Sequence, residues 1–203
     1  MAQAFKTAVF GLGSMGYGMA ASYVRAGHQV WGFDIDPAAV ERFRCDGGED
    51  GDQPTDLNAV VVVVLNAAQT ESVLFGEDGI VAKLNPGTVV MSCATVSPDF
   101  AREMEARCAQ HEVLYLDAPI SGGAVKSAQG ALTIMASGSP AAFSAARPVL
   151  DACADTVFEL GSEAGPGSAM KAVNQLLAGV HIATMAEALT FGMTQGIAPD
   201  QFV

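Results

Sequence analysis

The stretch Gly11 to Gly16, GLGSMG, constrains this chain more than any other feature. It directly follows an apolar run read as a strand, Thr7 to Phe10, and it opens a segment of helical period from Met15 to Ala26. A strand that turns through spaced glycines into a helix begins a βαβ unit built to hold a dinucleotide. Gly11 permits the tight turn, Gly13 lets the backbone approach a pyrophosphate, and Gly16 lets the helix pack close to the strand. Leu12, Ser14 and Met15 complete the loop, and the helix N-terminus supplies amide donors for the phosphates. The competing reading is a plain turn, and the position of the motif between strand and helix weighs against it.

Asp34 stands at the end of the next apolar run, about 20 residues beyond the glycines, where the fingerprint places the acid that binds the ribose 2'-hydroxyl. A 2'-phosphate there would lie about 4 Å from a carboxylate, a repulsion of about 1 to 4 kcal/mol between water-like and surface dielectrics. Ile35 and Asp36 follow, and no arginine stands next to Asp34 in sequence to accept a phosphate. The expected cofactor is NAD.

Short β-branched runs alternate with helical segments through the first three quarters of the chain, the pattern of a parallel sheet covered on both faces. The fold class is therefore α/β, a Rossmann-type doubly wound sheet. Strands are predicted at Thr7 to Phe10, Gln29 to Phe33, Val60 to Leu65, Thr88 to Ser92, Leu114 to Leu116, Leu132 to Ala136 and Thr156 to Glu159. Helices are predicted at Met15 to Ala26, Pro37 to Arg44, Pro98 to Gln110 and Pro140 to Asp151. Asp36 before Pro37 reads as a capping carboxylate ahead of a first-turn proline, and Gly27 as a C-terminal cap. From Gly167 to Gln195 one long apolar helical run takes over, and it needs cover on several sides. It reads as an interdomain helix, which divides the chain into a nucleotide-binding domain, residues 1–164, and the start of a second helical domain, residues 165–203.

Half the residues are hydrophobic and 16% are charged, so a sizeable core is available and disorder is not expected. A net charge of -12 opposes nucleic acid and anionic membrane surfaces. Cys45, Cys93, Cys108 and Cys153 show no zinc-site spacing and read as reduced, mostly buried thiols. No stretch is expected to span a bilayer, no secretory leader is read at Met1, and the expected location is the cytoplasm.

Four segments occur in fixed order: GLGSMG, CATVSP at Cys93 to Pro98, DAPISGG at Asp117 to Gly123, and GPGSAMKAVNQ at Gly165 to Gln175. Together they resemble the β-hydroxyacid dehydrogenases, the 3-hydroxyisobutyrate dehydrogenase-like group. LNAAQTE at Leu65 to Glu71 and NQLLAGVHIA at Asn174 to Ala183 look most like the L-threonate dehydrogenases within it. The resemblance implies NAD-dependent oxidation of a small hydroxyacid, with a sugar acid as the expected substrate.

Ser121, Gly122 and Gly123 suit a carboxylate anchor, since a hydroxyl and small residues let backbone amides close around an anion, and the resemblance assigns them to substrate. The resemblance makes Lys171 the acid/base, a role that removal from water would favour by lowering its pKa. Asn174 and Gln175 fall on the helix face of Lys171 and are expected to reach the same ligand. Relatives place a second asparagine where Gln175 stands, a departure that bears on the substrate. Thr95 and the loop from Asn66 to Gln69 follow strand ends, and by resemblance they line the nicotinamide and its ribose. Asn66 reads equally well as a helix cap. The resemblance further implies a second, all-helical domain, largely missing from these residues, which closes the cleft and forms a homo-oligomer. The competing functions are a 3-hydroxyisobutyrate dehydrogenase or tartronate semialdehyde reductase, and a non-catalytic NAD-binding module.

Overall fold

The computed structural model describes residues 4–52 and 54–202. β1 (Lys6–Phe10), α1 (Gly16–Arg25), β2 (Gln29–Phe33) and α2 (Pro37–Cys45) form the first unit, followed by β3 (Ala59–Val62), α3 (Ala67–Phe75) and β4 (Val89–Ser92). Then come α4 (Pro98–Ala109), β5 (Leu114–Asp117), β6 (Ile120–Ser121), α5 (Gly123–Gln129), β7 (Leu132–Gly138), α6 (Pro140–Cys153), β8 (Ala154–Glu159) and α7 (Pro166–Thr194). The sheet runs β2-β1-β3-β4-β5-β7-β6, with β8 also paired to β7. β2, β1, β3, β4 and β5 are mutually parallel, while β7 runs antiparallel to β5. The chain order reverses between β1 and β3, and doubly wound sheets bind ligands beyond the C-terminal strand ends at such a reversal.

Two apolar cores sandwich the sheet, and β3 shows why. Ala59 and Val61 join one core with α1 and α6 residues such as Met19 and Leu150, whereas Val60 and Val62 join the other with Met104 of α4. A strand clad on both faces carries apolar residues at every position.

Three helices are started by their own sequence. Asp36, Ser97 and Ser139 accept from the N–H groups of Ala38, Phe100 and Ala142, each just before a first-turn proline. Such a cap contributes about 1 kcal/mol, and proline spends no amide there.

The structure departs from the sequence expectations at several points. β3 ends at Val62: the Val63 amide makes the last bond to β1, at Phe10 O, 2.8 Å, and beyond it the Leu65 amide turns to Gln69 Oε1 at 2.9 Å. Residues from Ala67 onward form α3 where a loop was expected, and α5 was not anticipated. The acidic, glycine-rich segment Gly47 to Leu57, which by its sequence reads as an abbreviated or mobile edge, is fastened at both ends, through the Glu49 amide to Val30 O and the Lys6–Asp56 ion pair, and Gln53 within it lies outside the described residues. Cys93, Cys108 and Cys153 are buried free thiols, and Cys45 is exposed.

The expectation that no stretch could span a bilayer is also corrected. α7 has 29 residues, and by length and composition it is long and apolar enough to cross a membrane. Glycine, asparagine, glutamine and histidine interrupt its pattern without lowering its mean hydropathy below that of a spanning helix. Only Gly167, Ser168, Lys171 and Gly192 of α7 are buried, while Leu176, Leu177, Val180, Phe191 and His181 are exposed. The sheet domain thus covers the start of α7 and little more.

Candidate functional site

The site begins at the glycine turn. Gly11 has φ +98°, and a Cβ on it would stand 2.2 Å from Val63 O. A Cβ on Gly16 would stand 1.8 Å from Gly11 O, so the turn closes on itself and on the segment after β3. Gly13 differs, with ordinary φ and nothing within 4 Å of such an atom. Nothing in the fold demands glycine at that point, so the demand comes from what approaches the loop. α1 starts without a capping side chain and without an acid in its first turn, which leaves its amide end available to an anion.

Asp34 is fixed at the tip of β2. Its Oδ2 accepts from the Leu12 amide at 2.6 Å and its Oδ1 from the Asp36 amide at 2.9 Å. One carboxylate thereby braces both the glycine turn and the entry to α2. Around it lies a cavity of about 500 Å³ whose lining includes Leu12, Gly13, Ser14, Tyr17, Asp34 and Arg42. Arg42 corrects the view from sequence, where no arginine adjoined Asp34. α2 returns it to the same cavity, its guanidinium carbon 4.4 Å from the Tyr17 ring centroid. Asp34 and Arg42 oppose each other in any choice between a hydroxyl and a phosphate. NAD is expected to bind at least tenfold more tightly than NADP, from the 1 to 4 kcal/mol of like-charge repulsion at about 4 Å. Calorimetric titration of both cofactors checks this. Asp34→Ala should close the gap and Arg42→Ala should widen it.

A second cleft, of about 410 Å³, shares Gly13 and Ser14 with the first and continues along Met15, Gly16, Val63, Val64 and Leu65. Its far side is formed by Cys93, Thr95, Ser121, Gly122, Gly123, Lys171 and Gln175. β3, β4, β6 and α7 each deliver residues to it at their ends, as the sheet reversal requires. Gly122 and Gly123, at φ +132° and +72°, carry the chain from β6 into α5.

Lys171 is the unusual member. It is 7% exposed, its Nζ donates to Ile120 O at 2.8 Å, and burial pushes its pKa down from the ordinary lysine value. Desolvation alone accounts for the shift, as removal from water was expected to do. Gln175, one helical turn on, faces the same cleft.

Two expected residues stand apart. Asn174 is absent from the cleft lining, and its side-chain amide donates to Gln175 Oε1 at 3.4 Å, because a position three residues on falls to one side of the Lys171–Gln175 line. Asn66 also lies off the lining and caps α3, its Oδ1 accepting from the Gln69 amide at 3.0 Å. Sequence reasoning missed Arg42 and Tyr17, which could have been sought on α2 and α1 as the helices flanking Asp34, and it used Cys93 only as the start of a motif.

A doubly wound sheet whose glycine turn sits at the reversal point, with an acid at the end of β2, defines a dinucleotide-binding protein. The model for the NAD binding domain of 6-phosphogluconate dehydrogenase matches residues 6–161, and that for the NAD-binding segment of NADP-dependent 3-hydroxyisobutyrate dehydrogenase matches residues 165–203. The chain belongs to the β-hydroxyacid dehydrogenase family, the 3-hydroxyisobutyrate dehydrogenase-like group. It is 48% identical to an L-threonate dehydrogenase of Pectobacterium atrosepticum over 97% of its own length and 66% of that protein. It is 46% identical to the L-threonate dehydrogenase of Escherichia coli K12, over 97% of this chain and 67% of the relative. A crystal structure titled 3-hydroxyisobutyrate dehydrogenase from Salmonella typhimurium superposes with a TM-score of 0.88 at 44% identity, covering 95% of this chain and 69% of that one. The chain thus spans about 66% of the length of the first curated relative it matches.

Proposed function

We propose that this chain is the nucleotide-binding part and catalytic edge of an NAD-dependent dehydrogenase that oxidises a small hydroxyacid, a sugar acid such as L-threonate. The observation that carries the reading is Lys171, a nearly buried amine in the cleft that also holds the glycine turn and Ser121 to Gly123. Gly11 to Gly16 hold the dinucleotide phosphates, Asp34 the adenosine ribose, and Thr95 borders the nicotinamide end, with Asn66 acting from off the lining by capping α3 beside it. Ser121, Gly122 and Gly123 anchor the substrate carboxylate, and Gln175, with Asn174 behind it, contacts the substrate hydroxyls. When bound, NAD would supply the hydride acceptor. Lys171, as the neutral amine, would take the hydroxyl proton, and the ammonium so formed would stabilise the oxygen in the transition state.

Lys171 is the only cationic side chain among the described residues of the cleft, which favours an unphosphorylated acid with a single anionic group to anchor. The relatives at 45% to 48% identity are named L-threonate dehydrogenases, which supports a sugar acid. We place the domain boundary at residues 164 and 165, where the two family models abut across residues 161 and 165. We take α7 to be an interdomain helix of a cytoplasmic homo-oligomer, its exposed apolar face covered by a helical domain, for which the relatives' extra length leaves room. A panel of sugar acids and branched hydroxyacids, assayed with NAD and NADP, tests the substrate. The expected result is highest kcat/KM with L-threonate and NAD. Preference for 3-hydroxyisobutyrate would move the enzyme to the other branch of its family.

A further inference from the structure

Asp117 is 1% exposed at the C-terminal end of β5, and no role follows for it from the cleft lining. A carboxylate so deep needs donors to remain there. Its Oδ2 accepts from the Gly165 amide at 3.0 Å, the Ser168 amide at 2.8 Å and the Ser137 hydroxyl at 3.2 Å. Its Oδ1 accepts from the Ser168 hydroxyl at 2.7 Å, and Ser137 Oγ in turn accepts from the Gly167 amide at 2.9 Å. The first turn of α7 is therefore gripped by one buried carboxylate and one buried serine.

α2, α4 and α6 are capped by their own flanking residues, but α7 has glycine at that position and no cap of its own. Its orphan amides are satisfied from β5 and β7 instead. A local cap stabilises a helix without deciding where it sits, whereas a cap lent by a strand ties the helix to the sheet. Contact is close enough there that a Cβ on Gly167 would stand 2.5 Å from Met135 O and 2.8 Å from Asp117 O. Lys171 lies one turn beyond Ser168, and its amine reaches Ile120 O, three residues after Asp117. The β5–β6 segment thus holds α7 at its start and at the tip of its lysine.

We propose that Asp117 is a positioning residue, clamping the first turn of α7 so that the Lys171 amine is held in the cleft beside Ser121 to Gly123. Its kinetic consequence rests on Lys171 being the acid/base, and its structural consequence does not. The direct readout is the titration of Lys171, followed by NMR of labelled lysine side chains in the full chain, with Lys171→Ala to assign the signal among Lys6, Lys83 and Lys126. In the wild type Lys171 should titrate below the others, because burial lowers it.

Asp117→Ala frees the start of α7, so Lys171 should titrate like an exposed lysine. A displacement of about 1 Å at the reacting group costs about a hundredfold in turnover, while NAD affinity, set by the separately anchored glycine turn, should stay within about threefold. Asp117→Asn should largely rescue both properties. Its oxygen can take the place of Oδ2 and its amide can donate to a reversed Ser168 hydroxyl. A folded Asp117→Ala protein with unchanged Lys171 titration overturns the clamp. An asparagine variant as perturbed as alanine also overturns it, assigning the effect to charge. If Asp117→Ala does not fold, Ser137→Ala combined with Ser168→Ala keeps the backbone donors and should raise the Lys171 titration by a smaller amount; no movement overturns the proposal. A moved titration with unchanged turnover upholds the clamp and removes Lys171 from the chemistry.

Discussion

Replacing Lys171 with alanine is expected to lower turnover by about a hundredfold or more, the usual contribution of a positioned acid/base, while NAD binds nearly as before. The two effects separate because, on the proposed function, Lys171 acts at the substrate end of the cleft while α1 and the glycine turn take the phosphates. pH should follow the same group. Oxidation needs the neutral amine, so the wild-type rate should rise with pH through the lowered Lys171 pKa, and reduction should fall through it. Stability responds as well. Burial holds the folded-state pKa below the ordinary lysine value, so between the two the unfolded chain binds more protons than the native one. Stability attributable to this residue therefore increases as pH rises through that window. Lys171→Ala should lack both the kinetic inflection and this gain, as pH–rate profiles and thermal denaturation across alkaline pH would reveal. A variant with near-normal turnover would remove the lysine from the mechanism.

Two alanine substitutions in the glycine turn should have opposite signatures. Gly16→Ala sets a methyl 1.8 Å from Gly11 O and 3.2 Å from Val63 Cβ, both parts of the packed fold. Forced overpacking of this kind costs about 1 to 3 kcal/mol or more, so the variant should melt several degrees earlier. Gly13→Ala meets no protein atom within 4 Å and needs no unusual φ, so its melting temperature should not move. Its methyl would occupy the path of the pyrophosphate, and the same 1 to 3 kcal/mol would then appear as about a tenfold to a hundredfold loss of NAD affinity. Calorimetry with NAD, paired with thermal denaturation, distinguishes the two. Wild-type NAD affinity in Gly13→Ala would mean that the phosphates lie elsewhere.

Much of the fold could be read from short-range chemistry. Asp36 before Pro37 and the alternation of apolar runs and helical segments each report a local physical requirement, and the structure realises them. α3 and α5 escaped notice because they are short, nine and seven residues, and because their starts coincide with segments read for ligand contacts. The apolar run after Ala59 reads as one strand, yet the sheet keeps it only to Val62. Strand and ligand loop there are equally apolar, and only the hydrogen bonds differ.

The site was legible to the extent that function imposes a residue type at a fixed spacing. Glycines at a turn and an acid at a strand end satisfy that condition, whereas Lys171 was singled out only through the resemblance its segment carries. Tertiary structure decided whatever depends on distant segments meeting. It returned Arg42 to the side of Asp34, set Asn174 and Asn66 off the cleft, and left most of α7 uncovered. It also brought Asp117 under the first turn of α7, where it binds residues 48 and 51 positions away in the chain. Such contacts leave no periodicity and no local preference, because their energy arises only once two strands and a helix have been packed together out of water.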